Sequence, residues 1–382
     1  MIPELLIVGV EGCWYRSARA TDGQVTAMDQ NALRFQSKAG YAAANAFDAG
    51  VPVISRRGVL AGLGGAAAAG LAPMRSASAD IVGLVVVGAD GWLYPIWDEV
   101  RRFDAARFQQ VTTLINTSVA VMKKAGIEVV ISLTPSKSRI YREFLPKDFQ
   151  FTAETEKRYV MALDALRKPG TLVPDQATAF IEARKANPQG QYFFKTDTHW
   201  TPLGAELAGK LIASEVNAKL KLPASKKPGV KLGDPMQMVQ AKNDLADQMP
   251  AAEKAKYTKE FYTIRKDLSA ADAGSALTED DSSDTVVVGN SYTQPKYGFS
   301  ATISAGLNRP VGLAWRVHQF GSYAILLEYL ASPAFKQSRP KLIVWDFEET
   351  DMEGSPERKD FWGEHAMTGE TFLSKLTAAV AV

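Results

Sequence analysis

The sequence predicts an α/β fold: a mainly parallel sheet with helices on both faces. Three observations carry this expectation. Short β-branched runs alternate with stretches of helical period from residue 81 onward, the pattern of strands joined by crossover helices. One such run, Thr285-Val286-Val287-Val288, breaks at Gly289-Asn290-Ser291. This places a serine just past the carboxyl end of a buried strand, where open α/β sheets hold their ligands. The segment Asp197-Thr198-His199-Trp200-Thr201-Pro202 then sets a carboxylate and an imidazole two residues apart at the mouth of a helix. Side chains two apart on extended chain point the same way, so Asp197 can hold one ring nitrogen of His199 while the other faces outward.

Each element has its own signal. Ile81 to Val87 reads as a buried strand followed by an Asp90-Gly91 turn. Residues 101 to 124 carry Val111, Leu114, Ile115, Val119 and Met122 at helical spacing, and Gly126 ends that helix. Val129 to Leu133 is the next strand, and Thr134 to Pro146 a loop at its carboxyl end, so that Lys137, Arg139 and Tyr141 face the site. A helix over 153–167, a short strand Thr171 to Val173 and a helix over 176–186 follow. Tyr192 to Phe194 leads into Asp197 and His199. Thr201 as N-cap and Pro202 as first helical residue then open a helix through Ala205, Leu207, Ala208, Leu211 and Ile212. Residues 222 to 283, rich in Lys, Asp, Ala and Gln with weak periodicity, read as a solvated polar insertion rather than a second core. Strands 285–288 and 311–314, a helix over 321–331 and a strand over 341–347 complete the alternation.

Composition bounds the function. The 382 residues carry a net charge of +2, and no basic block is interleaved with aromatics, so nucleic-acid binding has no support. The chain has 3 histidines and 1 cysteine, Cys13. Disulfides and a Cys/His metal site are therefore not expected. Residues 1–79 read as a leader. Ser55-Arg56-Arg57-Gly58-Val59-Leu60 is a twin-arginine (Tat) signature, a mildly apolar run follows to Leu71, and Ala77-Ser78-Ala79 offers a small-residue cleavage site. Residues 80–382 would then form one catalytic domain in the periplasm, and an uncleaved signal would tether it to the inner membrane. No other apolar run approaches the roughly 20 residues of a membrane span.

The two chemical motifs, together with Gly88-Ala89-Asp90-Gly91-Trp92-Leu93-Tyr94, Thr134-Pro135-Ser136-Lys137-Ser138-Arg139-Ile140-Tyr141, Leu145-Pro146 and Pro340-Lys341-Leu342-Ile343-Val344-Trp345, resemble the SGNH-hydrolase-like polysaccharide O-acetyltransferases. These are the alginate acetylation family of the AlgJ/AlgX type. The resemblance covers about residue 82 to 349 and agrees in motif order, with Ser291 standing 92 residues after His199. It implies a flavodoxin-like, circularly permuted SGNH fold, because Asp and His here precede the serine while ordinary SGNH esterases have the serine first. It further implies Ser291 as nucleophile, His199 as base and Asp197 as its orienter. The acceptor would be a polysaccharide, and the acetyl donor would come from a membrane-bound O-acyltransferase of an inner-membrane exopolysaccharide complex. No soluble cofactor is implied.

The chain ends some thirty residues after its last strand, the shape of the AlgJ type rather than the AlgX type. It departs from the family pattern at three places. Asp346-Phe347-Glu348-Glu349-Thr350 stands where the family often continues Glu-Phe/Met-Pro-Glu-Arg, Ser136 where an acid is common, and Asn290 where Asp or Thr is common.

Around the triad, Gly289 lets the chain turn closely, and backbone N–H groups with the Asn290 side chain can hold an oxyanion. Lys137 and Arg139 can bind an acidic sugar or an acyl carbonyl, or be solvated. Tyr292 can stack on a sugar ring or pack against the next helix. Trp200 packs under the dyad and positions it. Trp345 can line a groove, with burial the simpler reading. His318 offers a second polar contact, and His365 reads as surface. Water as acceptor would make the same triad an acetylesterase, and loss of activity would leave a polysaccharide-binding scaffold.

Overall fold

The computed structural model describes residues 80–240, 243–268 and 283–381. The leader, with its twin-arginine signal and cleavage site, lies outside the described residues.

The chain opens with a small antiparallel sheet of β1 (Asp80–Val82), β2 (Val85–Val87) and β3 (Leu93–Pro95). The single strand expected over 81–87 is thus a hairpin. Gly83 takes a φ of 63°, a left-handed value that glycine adopts at little cost, and folds the run back on itself. Helix α1 (Ala105–Lys124) is capped by Asp104, whose side chain accepts from the Arg107 N–H, and Gly126 follows its end at φ 80°. Then come β4 (Glu128–Thr134), α2 (Ala153–Arg167), α3 (Gln176–Ala186) and α4 (Pro202–Lys219). The expected strand at 171–173 is reduced to one parallel bridge, Val130 to Leu172.

The segment read as a polar insertion contains a two-stranded antiparallel ribbon, β5 (Leu232–Val239) with β6 (Phe261–Asp267). Leu245, Ala246 and Met249, between those strands, pack with Val85 and Leu93 in a small apolar cluster of their own. The chain continues through β7 (Thr285–Gly289), α5 (Phe299–Leu307), β8 (Val311–Trp315), α6 (Ser322–Ala331), β9 (Leu342–Glu348) and α7 (Gly369–Val380). Helices α5 and α7 have no counterpart in the sequence reading, although Phe372, Leu376 and Val380 of α7 stand at helical spacing and are buried.

The main sheet is fully parallel, in the order β4-β9-β7-β8. Every residue of β7 and β9 is buried, whereas the edge strand β8 is half-buried throughout, the gradient expected of a sheet covered on both faces. The helices form two packed groups: α7 packs against both α1 and α6, and α4 against both α3 and α5. The fold class expected from the sequence is therefore the one found. The carboxyl ends of β4, β7, β8 and β9 share one edge, and the site is built there.

Candidate active site

Local structure brings the motif residues to that edge. A bridge between Phe193 and Trp200 pinches the Lys195–His199 segment into a loop, and Thr201 caps α4 through the Gly204 N–H at 3.3 Å. Gly204 is needed for space: a Cβ there would meet the Tyr192 carbonyl at 2.2 Å. On the other side, Ser291 opens a 3-10 turn (Ser291–Thr293) straight after β7. Two reciprocal bonds tie these segments together. The Trp200 Nε1–H donates to the Tyr292 carbonyl at 2.9 Å, and the Tyr292 hydroxyl donates to the Thr198 carbonyl at 2.8 Å.

Asp197, His199 and Ser291 are thereby placed in a hydrogen-bonded row. Asp197 Oδ1 lies 2.7 Å from His199 Nδ1, and His199 Nε2 lies 2.8 Å from Ser291 Oγ. Asp197 and His199 are buried, and Ser291 is partly exposed. The remaining acceptor positions of Asp197 are also filled. Oδ1 takes the His199 N–H at 3.0 Å, and Oδ2 takes the Gln240 side-chain amide at 2.7 Å and the Asp244 N–H at 3.3 Å. Burial alone would raise this carboxyl, but the charge and hydrogen bonds of His199, with the Asp244 N–H, outweigh it and hold the group at about 2. With Asp197 ionised, the ring proton belongs on Nδ1, which leaves Nε2 to accept from the serine hydroxyl. Burial would lower the His199 pKa, yet Asp197 and then Asp244 raise it above the ordinary value. Asp244 itself, 3.6 Å from His199 Nδ1, is pushed up to about 7 by burial and by the Asp197 charge.

Sequence reasoning missed three members of this site, all in the polar segment. Gln240 and Asp244 back Asp197, while Glu260 accepts from the Lys195 N–H at 2.8 Å and the Thr196 N–H at 2.7 Å. Asp244 does the same for Thr198, at 2.7 Å. The only signal available was a backbone segment whose N–H groups needed acceptors.

The other expected ligands are placed differently. The Lys137 side chain is fully buried, and its Nζ donates to the carbonyls of Leu93, Lys195 and Asp197. Burial pulls its pKa down to about 8 against the pull of Glu260 and Asp197. It braces the loop through these three carbonyls. Arg139 is bound to Glu349 at 2.7 and 2.8 Å. The Tyr141 hydroxyl accepts from the Tyr192 N–H at 2.9 Å, with its ring stacked on Trp92 at 4.0 Å. The short helix Lys137–Ile140 turns these side chains inward where a loop was expected to present them.

Tyr292, Trp200 and Trp345 are buried, the last donating to the Ser322 carbonyl at 3.1 Å. Gly289 is required for packing rather than turning, since a Cβ would stand 2.6 Å from Thr293 Cγ2 and 2.8 Å from Asp346 Cβ. The Asn290 amide is engaged by protein partners, its Nδ2 lying 3.3 Å from His318 Nδ1 as well. Its Oδ1 accepts from the Tyr292 N–H at 2.9 Å, and its Nδ2 donates to Glu348 Oε1 at 2.9 Å. His318 is the partner of Glu348 and Asp351, and the His365 ring stacks on Phe320 at 3.7 Å.

Among the described residues, two His–carboxylate trios have their polar atoms within 4.8 Å of one another, Asp197–His199–Asp244 and His318–Glu348–Asp351. In the first, both ring nitrogens already have partners. In the second, Glu348 Oε1 serves Asn290 and His318, and Asp351 Oδ2 takes the Glu348 N–H at 2.9 Å. Both are hydrogen-bonded networks by their contacts.

A parallel sheet with a Ser–His–Asp row at its carboxyl edge is the arrangement of an SGNH-hydrolase-like domain. The domain family described as SGNH hydrolase-like domain, acetyltransferase AlgX, matches residues 85–349. The chain belongs to this family. It is 30% identical over 275 residues to a Pseudomonas putida protein named probable alginate O-acetylase AlgJ, with 69% of each chain covered. Against alginate biosynthesis protein AlgX of the same organism it is 27% identical over 279 residues, covering 69% of this chain and 56% of that one. The larger share of the AlgJ relative agrees with the AlgJ-type expectation. The O-acetyltransferase domain of Pseudomonas putida AlgJ shares the fold, with a TM-score of 0.59, 24% identity, and coverage of 77% of this chain and 99% of that domain.

Proposed function

We propose that this chain is an O-acetyltransferase that carries an acetyl group through Ser291 to hydroxyls of an exported, alginate-like polysaccharide. The observation that carries the reading is the row Asp197–His199–Ser291, closed at 2.7 and 2.8 Å at the carboxyl edge of the sheet. The name of the Pseudomonas putida relative, an alginate O-acetylase, supports the acetyl group and the acceptor.

His199 Nε2 takes the Ser291 proton as Oγ attacks the acetyl carbonyl of the donor, and the imidazolium then returns that proton to the departing donor oxygen. The acetyl-serine is opened by a sugar hydroxyl that loses its proton to the same nitrogen, and Ser291 leaves with the proton restored. The Ser291 N–H, at the first position of its turn, makes no bond within the turn and can serve the oxyanion. Export by the twin-arginine leader would put the domain in the periplasm, beside a membrane-bound O-acyltransferase that supplies the donor.

The test is acetyl transfer from a chromogenic acetyl ester to uronate and glucan oligosaccharides, by the chain from residue 80 onward. Ser291→Ala should lower the rate on the order of a thousandfold or more. Ester cleavage that no oligosaccharide diverts would make the protein an acetylesterase. Equal rates in wild type and variant would remove Ser291 from the chemistry.

A further inference from the structure

We propose that Glu348, held by His318, is a positioning residue for the nucleophile: it sets the Asn290 amide, and Asn290 sets the turn that carries Ser291. This rests on the reading of Ser291 as nucleophile. The carboxyl ends of three adjacent strands take part. Asn290 follows β7, Glu348 is the last residue of β9, and His318 lies just past β8.

The orientation of Asn290 is decided by charge. Its Oδ1 accepts from the Tyr292 N–H at 2.9 Å, so it caps the Ser291–Thr293 turn, and its Nδ2 faces Glu348 Oε1 at 2.9 Å. A flipped amide would set its oxygen against the carboxylate and its NH2 against an N–H, losing both bonds. Glu348 is nearly buried, and a buried carboxylate requires partners. His318 Nδ1 supplies one at 3.0 Å, and the Glu348 N–H is held by Asp351 Oδ2 at 2.9 Å. On its far side, His318 Nε2 stands 3.5 Å from Asp351 Oδ1. An imidazole between two carboxylates is thus backed against the turn of the nucleophile. None of these side chains is in the Asp197–His199–Ser291 row, so they act through backbone position. Placement matters because a misplacement of about 1 Å can cost a hundredfold in rate.

The deciding experiment is a double-mutant cycle between positions 290 and 348. Rates are expressed per active serine, titrated with a covalent serine reagent, and thermal unfolding is followed beside them. Asn290→Asp alone opposes two carboxylates, and Glu348→Gln alone removes the charge that orients the amide. Each should lower the acylation rate about tenfold or more, with the acceptor KM unchanged. In the double variant the pattern is restored with the roles exchanged. The carboxylate introduced at position 290 accepts from the Tyr292 N–H and from one N–H of the amide introduced at position 348, at the place where Glu348 Oε1 meets both Asn290 and His318, and the second N–H of that amide is accepted by Nδ1 of a neutral His318 that carries its proton on Nε2. The double variant should recover to within about threefold of wild type.

Losses that multiply in the double variant, or single variants that keep the wild-type rate per active serine, would overturn the proposal. A fall in titratable serine or in unfolding temperature at constant rate per site would mean a merely structural contact, and would overturn it equally. Ser291→Ala run in parallel separates the two readings. If it keeps its activity, the nucleophile assignment fails whatever the cycle shows.

Discussion

Asp197 shows how much a single side chain can depend on residues remote in sequence. The Asp-x-His spacing already tells that the carboxylate can reach the ring, because that geometry is local. Nothing local tells that Gln240 and Asp244 fill the other oxygen, or that Asp244 adds a second negative charge beside His199. His199 must be neutral to take the serine proton, and Asp244 raises its pKa. Asp244→Asn should therefore move the acid limb of the pH profile of ester turnover to lower pH, read from kcat/KM across the range. A limb that stays in place or moves up would mean that the Asp244 charge does not reach the ring. Lys137 teaches the converse. A lysine in a loop beside a site reads as a ligand for an acid, but here it is a buried brace for three carbonyls. Sequence carries the charge of a side chain and not the side of the backbone on which it lies.

At the scale of elements, the short helix Lys137–Ile140, α2 and the end of β9 are joined by one buried ion cluster. Glu349 accepts from Arg139 at 2.7 Å and from Arg158 at 3.2 Å. Burial would raise its carboxyl, but Arg158 and Arg139 outweigh that and hold it at about 2, below the ordinary 4.5. A depressed folded pKa means that the contribution to stability is complete above about 4.5 and is lost as the pH falls toward 2. Glu349→Gln leaves two guanidinium groups short of a counter-charge and should cost about 3–5 kcal/mol in urea unfolding at neutral pH. The variant should also lose less stability than wild type on acidification through that window. Equal acid slopes would remove Glu349 from the cluster's energetics. The elements themselves were largely legible, since α1, α2, α3, α4, β4, β7, β8 and β9 announce themselves by period and caps. The first hairpin was not, because three residues on each side of Gly83 are too short to show a turn inside an apolar run.

At the scale of the whole molecule, the C-terminal helix belongs to the core although it lies beyond the family match, which ends at 349. Phe372 is fully buried and meets Tyr323 at 5.1 Å and Trp345 at 6.3 Å, so α7 reaches both α6 and β9. Phe372→Ala should destabilise the domain by about 3–5 kcal/mol in chemical unfolding. A loss under about 1 kcal/mol would show α7 to be peripheral. The sequence by itself determined the alternation of strands and helices, the parallel sheet, the serine at the end of β7 and the Asp–His pair before α4. These follow from hydrophobic period, capping and spacing, which act over a few residues. Only the tertiary structure decided that Ser291 meets His199 across 92 residues, that the polar segment supplies Gln240, Asp244 and Glu260, and that the polar groups of Lys137, Arg139 and Asn290 are taken up by partners within the protein. Those outcomes depend on which buried polar groups find partners, and the partners come from strands and loops whose neighbours are chosen by packing rather than by order along the chain.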